Sequence, residues 1–198
     1  MAVSSAERKG DARDRLLARL LDAFGDGLPS PDMSLREVAA RVETSHALLR
    51  YHFGSLSGVL AAMLTAQRSR DNEALLKTAE EGTFDDLVVA IWHTYTRPEQ
   101  LSRIRGFFHV VGLAAYNPGD FHEFIDSLED LTTMLASLAE REGHETERAL
   151  SMATVAIAAI RGLLLQEVLK PSVHSEDTVA LILRMIGGPM RTKEPERG

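Results

Sequence analysis

The chain has 198 residues, no cysteine, 44% hydrophobic residues and a formal net charge of −7. The lack of cysteine excludes a disulfide framework, a thiolate nucleophile and a Cys-based zinc site, while the apolar content suffices for a sizeable core, in one domain or in a small domain joined to a larger one. The most apolar run, Ala149 to Ile160, is shorter than a bilayer and is broken by Arg161, and residues 1–15, MAVSSAERKGDARDR, hold no signal-peptide apolar stretch, so the expectation is a soluble cytoplasmic protein with no membrane partner.

In chain order, Leu16, Leu17, Leu20, Leu21 and Phe24 make the stripe of a first helix, which Gly25, Gly27 and Pro29 end. Ser34 and Glu37 stand at capping-box spacing, each side chain accepting from the other's backbone N–H, and so fix the start of a second helix. Its stripe is Leu35, Val38, Ala39 and Val42, about two turns long. After only Glu43 and Thr44, Ser45 offers another N-cap, with Leu48 and Leu49 turned inward, and two capped helices across so short a gap must cross steeply. Phe53 and Gly54 end that helix, and Ser55 caps a longer one whose stripe is Leu56, Val59, Leu60, Met63 and Leu64. This is the outline of a helix-turn-helix reader of DNA.

The remaining chain shows no strand pattern and no repeat. Helices are expected over 55–80, 83–96, 98–105, 106–116, 119–142, 145–169 and 176–187, with breaks at Gly82, Pro98, the Asn117-Pro118-Gly119 turn, Gly143 and Pro171. With the first three this makes an all-α protein of nine or ten helices, followed by a tail over 188–198 that has no apolar period and is expected to be disordered. The acidic balance divides unevenly. Residues 1–53 hold eight Lys/Arg and eight Asp/Glu, so the whole net charge of −7 falls on residues 54–198. The DNA-reading segment is the less acidic part without being a basic patch.

The segment TSHALLRYHFGSLSGVLAAML resembles the helix-turn-helix and following helix of the TetR (tetracycline repressor) family of transcriptional regulators. Ser45, the triplet Tyr51-His52-Phe53 and the capping Ser55 occupy the places of the family's capping Ser, aromatic triplet and second Ser cap, and the match covers roughly the first third of the chain. Glu43 stands where the family usually carries a turn Gly, and a non-Gly residue at positive φ costs ~1 kcal/mol. Leu56 stands where the family usually carries a phosphate-contacting Lys. The resemblance implies a DNA-binding domain over 1–54 and a helical ligand-binding and dimerisation domain over 55–187. It also implies that the helix from Ser45 to His52 enters the major groove. Thr44, Ser45 and His46 would then contact phosphate or base, Arg50 base or phosphate, and Tyr51 and His52 phosphate. Arg36 would lie near the groove, with Arg8, Lys9, Arg13 and Arg15 along the phosphates. Ordinary solvated charge is the plain alternative for each, and core packing is the alternative for Tyr51 and Phe53.

Two C-terminal helices suggest a homodimer. The one around Ala149 to Leu169 is apolar nearly all round, and the next carries Val179, Ile182, Leu183 and Ile186 at a/d-like spacing. With Val155, Ile157 and Leu163 these make the expected interface, as the last two long helices do in the family. A set on the middle helices, Trp92, His93, Tyr95, Phe107, Phe108, His109, Tyr116, Met134 and Leu138, suits a small, mostly apolar effector, and Arg161 inside an apolar helix needs a carboxylate or an acidic ligand group if buried. Ordinary core packing is the alternative for the aromatic set, and snorkelling for Arg161. His122-Glu123-Phe124-Ile125-Asp126 approximates a zinc-protease HExxH motif, with His109 or His144 as a possible third ligand, but it is short and imperfect and reads better as a solvated helix start. No P-loop, GxGxxG or GxSxG occurs, so neither an enzyme nor a cofactor is expected. The partners expected are double-stranded DNA, a small-molecule effector and a second copy of the chain. The competing reading is an all-α small-molecule-binding protein with a degenerate DNA-reading motif.

Overall fold

The structure, a computed structural model, describes residues 5–25, 27–30, 32–170 and 176–187. The tail over 188–198 and the side chains of Arg8 and Lys9 lie outside the described residues.

Within them the chain is helical: α1 (Ser5–Phe24), α2 (Leu35–Arg41), α3 (His46–Phe53), α4 (Leu56–Glu81), α5 (Phe84–Tyr95), α6 (Leu101–Tyr116), α7 (His122–Asp126), α8 (Asp130–Arg141), α9 (Thr146–Leu169) and α10 (Glu176–Gly187), with short 3-10 turns at Pro98–Gln100 and Pro118–Phe121. The caps explain the crowded N-terminal part. Ser34 accepts from the Glu37 N–H at 3.2 Å while Glu37 accepts from the Ser34 N–H at 2.7 Å. These two bonds hold the Glu37 carboxyl below its usual pKa. Ser45 accepts from Leu48 at 3.1 Å, and Ser55 from Gly58 at 3.1 Å. Three consecutive helices therefore start on a satisfied donor, which offsets the shortness of α2 and α3.

Three apolar clusters form the core. The first gathers Leu16, Leu20 and Leu21 of α1, Val38 of α2, Leu49 and Phe53 of α3, and Val59 and Met63 of α4. It extends past residue 54, where the sequence marked a domain boundary. A second cluster joins Leu60 and Leu64 of α4 to Phe107 and Val110 of α6 and Phe124 of α7. The third is the bundle of α5, α8, α9 and α10 around the end of α4. Leu56 is half-buried and packs against the first two clusters at once, which is what a leucine does at that position in place of a solvated lysine.

Two expected element patterns differ. Helices over 98–105 and 106–116 are one helix, α6, after a 3-10 turn, because Gly106 is buried mid-helix against Leu28 and does not break it. The single helix expected over 119–142 is instead a 3-10 turn, α7 and α8, with the chain turning at residues 127–129. Carbonyls released at that turn are taken by distant side chains: Arg68 donates to Ser127 at 3.0 Å and Arg161 to Leu128 at 2.9 Å. Helix α9 spans 24 residues and reaches a mean hydropathy of 1.6, enough in length and composition for a membrane span, contrary to the expectation from the Ala149–Ile160 run alone. Its inner face, Ala149, Ala153, Ala156, Ile157 and Ile160, is buried in the bundle instead.

Glu43 has φ +50°. The Glu43 N–H bonds to Ala40 and the Thr44 N–H to Ala39, the paired bonds of a Schellman C-cap, and the same pattern recurs after α8 with Gly143 at φ +94°. The strained carboxylate-bearing turn is clasped by Arg19, whose guanidinium donates to the carbonyls of Val42 and Glu43. Glu43→Gly should raise stability by roughly 0.5–1 kcal/mol, read as a higher urea midpoint with unchanged slope; an unchanged or lower midpoint would show that the clasp compensates the strain fully.

Candidate nucleic-acid interface and buried chamber

Helix α3 has eight residues, and only Leu49 and Phe53, one turn apart, are buried. Everything else on it is available to the outer face or the flanks. Arg36, Ser45, Arg50 and Tyr51 are exposed, Tyr51 at 65%, and Thr44 and His46 are half-buried. Leu48, expected to face inward beside Leu49, is 42% exposed on the outer face next to Ala47, because a helix this short can turn only one apolar stripe inward. His52 is placed differently from the rest: its Nδ1 is buried without a hydrogen bond, its ring lies edge-on to Tyr51 at 5.0 Å, and it lines a cleft shared with Arg13, Phe53 and Glu123.

The angle of α3 to α4 is set locally. The two helices meet at a 65° bend across Gly54, at φ +74°, and a Cβ on Gly58 would stand 1.9 Å from the Phe53 carbonyl oxygen, so only glycine permits this approach. Arg13 of α1 bonds Glu123 of α7 at 2.6 Å, tying the N-terminal cluster to the rest of the chain. Glu123 is thus engaged as a structural partner, and His122 Nδ1 lies 3.4 Å from the Gly119 carbonyl. Among the described residues no three His, Cys, Asp or Glu side chains come together to hold a metal.

A chamber of about 40 Å³, on the scale of a few water molecules, lies between α4, α5, α6, α8 and α9, walled by Leu64, Ile91, Ile104, Phe107, Ile160 and their neighbours. Two further cavities adjoin it, one sharing Tyr95, Ile104 and Leu164 and reaching Trp92, the other sharing Phe107 and Arg161 and reaching Phe108. Of the set singled out from sequence, Trp92, Tyr95, Phe107, Phe108 and Arg161 meet at these cavities, and Leu138 is buried in the bundle core. Met134 is half-buried in the bundle core. His93, His109 and Tyr116 are on exposed faces, Tyr116 at 87%, and line none of the three, so they are corrected out of the chamber: on α5 and α6 they fall opposite the buried stripes Val88-Ile91-Trp92-Tyr95 and Ile104-Phe107-Val110-Ala114.

Of the polar wall, sequence reasoning had Tyr95 and Arg161 but missed Arg68 and Arg103. Tyr95, Arg68 and Arg103 are buried at the chamber, and Arg103 bonds Asp71 at 2.7 Å. Burial pushes the Asp71 carboxyl above its usual pKa despite that partner, and pushes the Tyr95 phenol up to about 12. The Tyr95 hydroxyl is buried close to Asp71 without a well-formed hydrogen bond.

The expected dimer set also divides. Ile157 and Val179 are buried inside the chain, a correction that follows from their faces, since Ile157 shares its stripe with Ala153, Ile160 and Leu164 against the bundle. Leu163, Ile182, Leu183 and Ile186 are half-buried. Val155 is exposed, in line with Ala158, Gly162, Leu165 and Leu169 on α9, and Leu181 and Met185 are exposed on α10.

A phenol raised above its unfolded value of 10 keeps its proton in the folded state while the unfolded chain loses it, so this contribution is fully present below pH 10 and is lost as pH rises through about 12. Tyr95→Phe should flatten the fall in stability over that window and remove the latest phenolate phase from a near-ultraviolet titration. If that phase persists in the variant, Tyr95 is not the buried phenol.

No protein-family model matches the sequence, and no curated protein matches it. Solved structures do match in fold. A putative transcriptional regulator from Rhodococcus sp. RHA1 aligns at TM-score 0.62 and 17% identity over 91% of this chain and 95% of its own. A putative TetR-family transcriptional regulator from Mesorhizobium loti aligns at 0.60 and 13% over 90% and 98%, and a TetR transcriptional regulator from Legionella pneumophila at 0.58 and 16% over 94% and 97%. Over nine-tenths of its length, the chain has the all-α fold of the TetR-family transcriptional regulators.

Proposed function

We propose that the protein is a homodimeric, ligand-responsive transcriptional regulator of the cytoplasm, a repressor that holds a palindromic operator and releases it when a small, mostly apolar ligand binds. The observation that carries this is α3: a capped eight-residue helix pinned by Leu49 and Phe53 alone, with Ser45, Ala47, Leu48, Arg50 and Tyr51 facing outward. Its size suits a major groove, its N-terminal N–H groups suit phosphate, Arg50 suits a guanine edge, and the exposed Leu48 suits a thymine methyl. The nearly neutral charge of this segment assigns recognition to such contacts more than to a general attraction.

A second copy is the partner proposed for the outer face of α9 and α10. Val155, Leu165, Leu169, Leu181 and Met185 are large apolar side chains left exposed on these two helices, and the small Ala158 and Gly162 would let a partner helix approach closely. Two α3 helices held ~34 Å or a multiple of it apart would read a palindrome. The ligand would act by favouring a state in which that spacing is wrong, with coupling of about 1–3 kcal/mol.

Selection of bound fragments from sheared genomic DNA at about physiological salt tests the reading. Enrichment of a palindrome supports it, whereas folded, dimeric protein that enriches nothing points to the all-α binding protein with a degenerate reader. Arg50→Ala should weaken the selected site by about 1–3 kcal/mol with unchanged helicity; unaltered affinity removes Arg50 from the interface. Val155→Asp with Leu181→Asp should convert the dimer to a folded monomer in sedimentation, since both side chains are exposed in the protomer, and a persisting dimer would place the interface elsewhere.

A further inference from the structure

The buried chamber carries an unbalanced charge. Helices α4, α6 and α9 bring Arg68, Arg103 and Arg161 to its wall. Arg103 is matched by Asp71 at 2.7 Å. The other two have only neutral acceptors: Arg68 donates to the Ser127 carbonyl at 3.0 Å and Arg161 to the Leu128 carbonyl at 2.9 Å. Arg68 is 6% exposed, its Nε has no acceptor, and its guanidinium lies 5.7 Å from the Phe107 ring centroid. Burial, together with the charge of Arg68, holds the Arg161 guanidinium below its usual pKa. The charge of Asp71, bonded to Arg103, also reaches Arg68, but among the described residues no carboxylate bonds Arg68 or Arg161, so two of the three guanidiniums lack a direct partner, an arrangement that costs stability unless something offsets it.

We propose that the chamber binds a small organic acid, its carboxylate between Arg68 and Arg161 and its apolar body among residues such as Ile91, Ile104 and Leu164. This deepens the effector reading above and rests on it. A planar monoanion suits the site, because a guanidinium pairs with a carboxylate through two parallel hydrogen bonds and the rest of the wall offers few donors for a dianion. The arrangement also supplies a route outward. A bound carboxylate competes with the carbonyls of Ser127 and Leu128 for the two guanidiniums, which loosens the turn between α7 and α8. Helix α7 in turn carries Glu123, the partner of Arg13 on α1.

The test is calorimetric titration of the full chain with two matched series, octanoate against octanol and octylamine, and naphthoate against naphthylmethanol and naphthylmethylamine. At least one acid should bind about tenfold or more tightly than its alcohol, with the amine weakest. Arg68→Met and Arg161→Met should each erase that preference while leaving the alcohol's affinity in place, and Arg161→Lys should retain part of it. Helicity confirms that a variant is folded, and three substitutions guard against the loss of any one. Acid no tighter than alcohol, preference for the amine, binding by no member, or a preference that survives in a folded Met variant would overturn the proposal. Repeating the titrations with the selected operator present separates the two readings: acid binding that leaves DNA affinity unchanged keeps the anion site and ends the effector reading. DNA release by the alcohols as readily as by the acids does the reverse.

Discussion

The rest of the molecule depends on α4 being shared. Residues 59–64 are all buried, which a helix with one core-facing stripe cannot achieve; here Val59, Ala62 and Met63 close the N-terminal cluster while Leu60, Ala61 and Leu64 close the cluster around Phe107 and Phe124. A helix of 26 residues is about 39 Å long, so its far end, at Leu75, reaches the third core. No cluster can repack at α4 without disturbing another, because interiors packed to crystal density do not absorb the shift. The N-terminal unit is therefore continuous with the body, and Gly58 fixes the angle at which it joins.

This sharing is also what makes the fold partly legible and partly not. Ser34, Glu37, Ser45 and Ser55 were readable because a cap and its acceptor lie within three residues, so the information is local and the geometry admits one arrangement. The break between α7 and α8 was not, since Ser127-Leu128-Glu129 holds neither glycine nor proline, and the groups that satisfy its carbonyls come from residues 68 and 161. The same distinction separates the faces of α9. Where a helix is apolar all round, periodicity cannot say which stripe meets the bundle, and of two residues both expected at the interface Val155 is exposed while Ile157 is buried in the bundle. For the chamber, aromatic content was a partial guide: it found Trp92, Phe107 and Phe108 but also the outward-facing His109 and Tyr116, whereas Arg68 and Arg103 sit in helices whose local pattern gives no reason to bury a charge, and their convergence with Arg161 is visible only in the fold.

The turn at Glu43 is a different kind of departure, a local rule broken and then compensated at a distance. The Schellman geometry after α8 is built with glycine, and the one after α2 with a carboxylate-bearing residue in the same left-handed conformation. Arg19 of α1 bonds both carbonyls of that turn, so the first helix holds the connection that sets the crossing of α2 and α3. Arg41 extends the same contact, donating to the Ala23 carbonyl at 3.1 Å and stacking 4.5 Å from the Phe24 ring centroid. Basic residues of the N-terminal segment are thus spent partly on backbone carbonyls within the fold, which leaves fewer of them for an external polyanion.

The small size of the chamber bears on how a ligand would act. An interior of about 40 Å³ admits water but no organic molecule of useful size, so occupancy requires the helices around it to part and the adjoining cavities at Trp92 and Phe108 to merge with it. A ligand that binds only the parted state shifts the population toward it by the full difference in affinity between the two states. Because α4, α6 and α9 all line the chamber, and α4 alone continues into the N-terminal cluster, parting them has one stiff element through which to reach α3. The Arg13–Glu123 pair offers a second connection, solvent-facing and hence weaker. Transmission through α4 should therefore dominate, with the ion pair adjusting the resting balance between the two states.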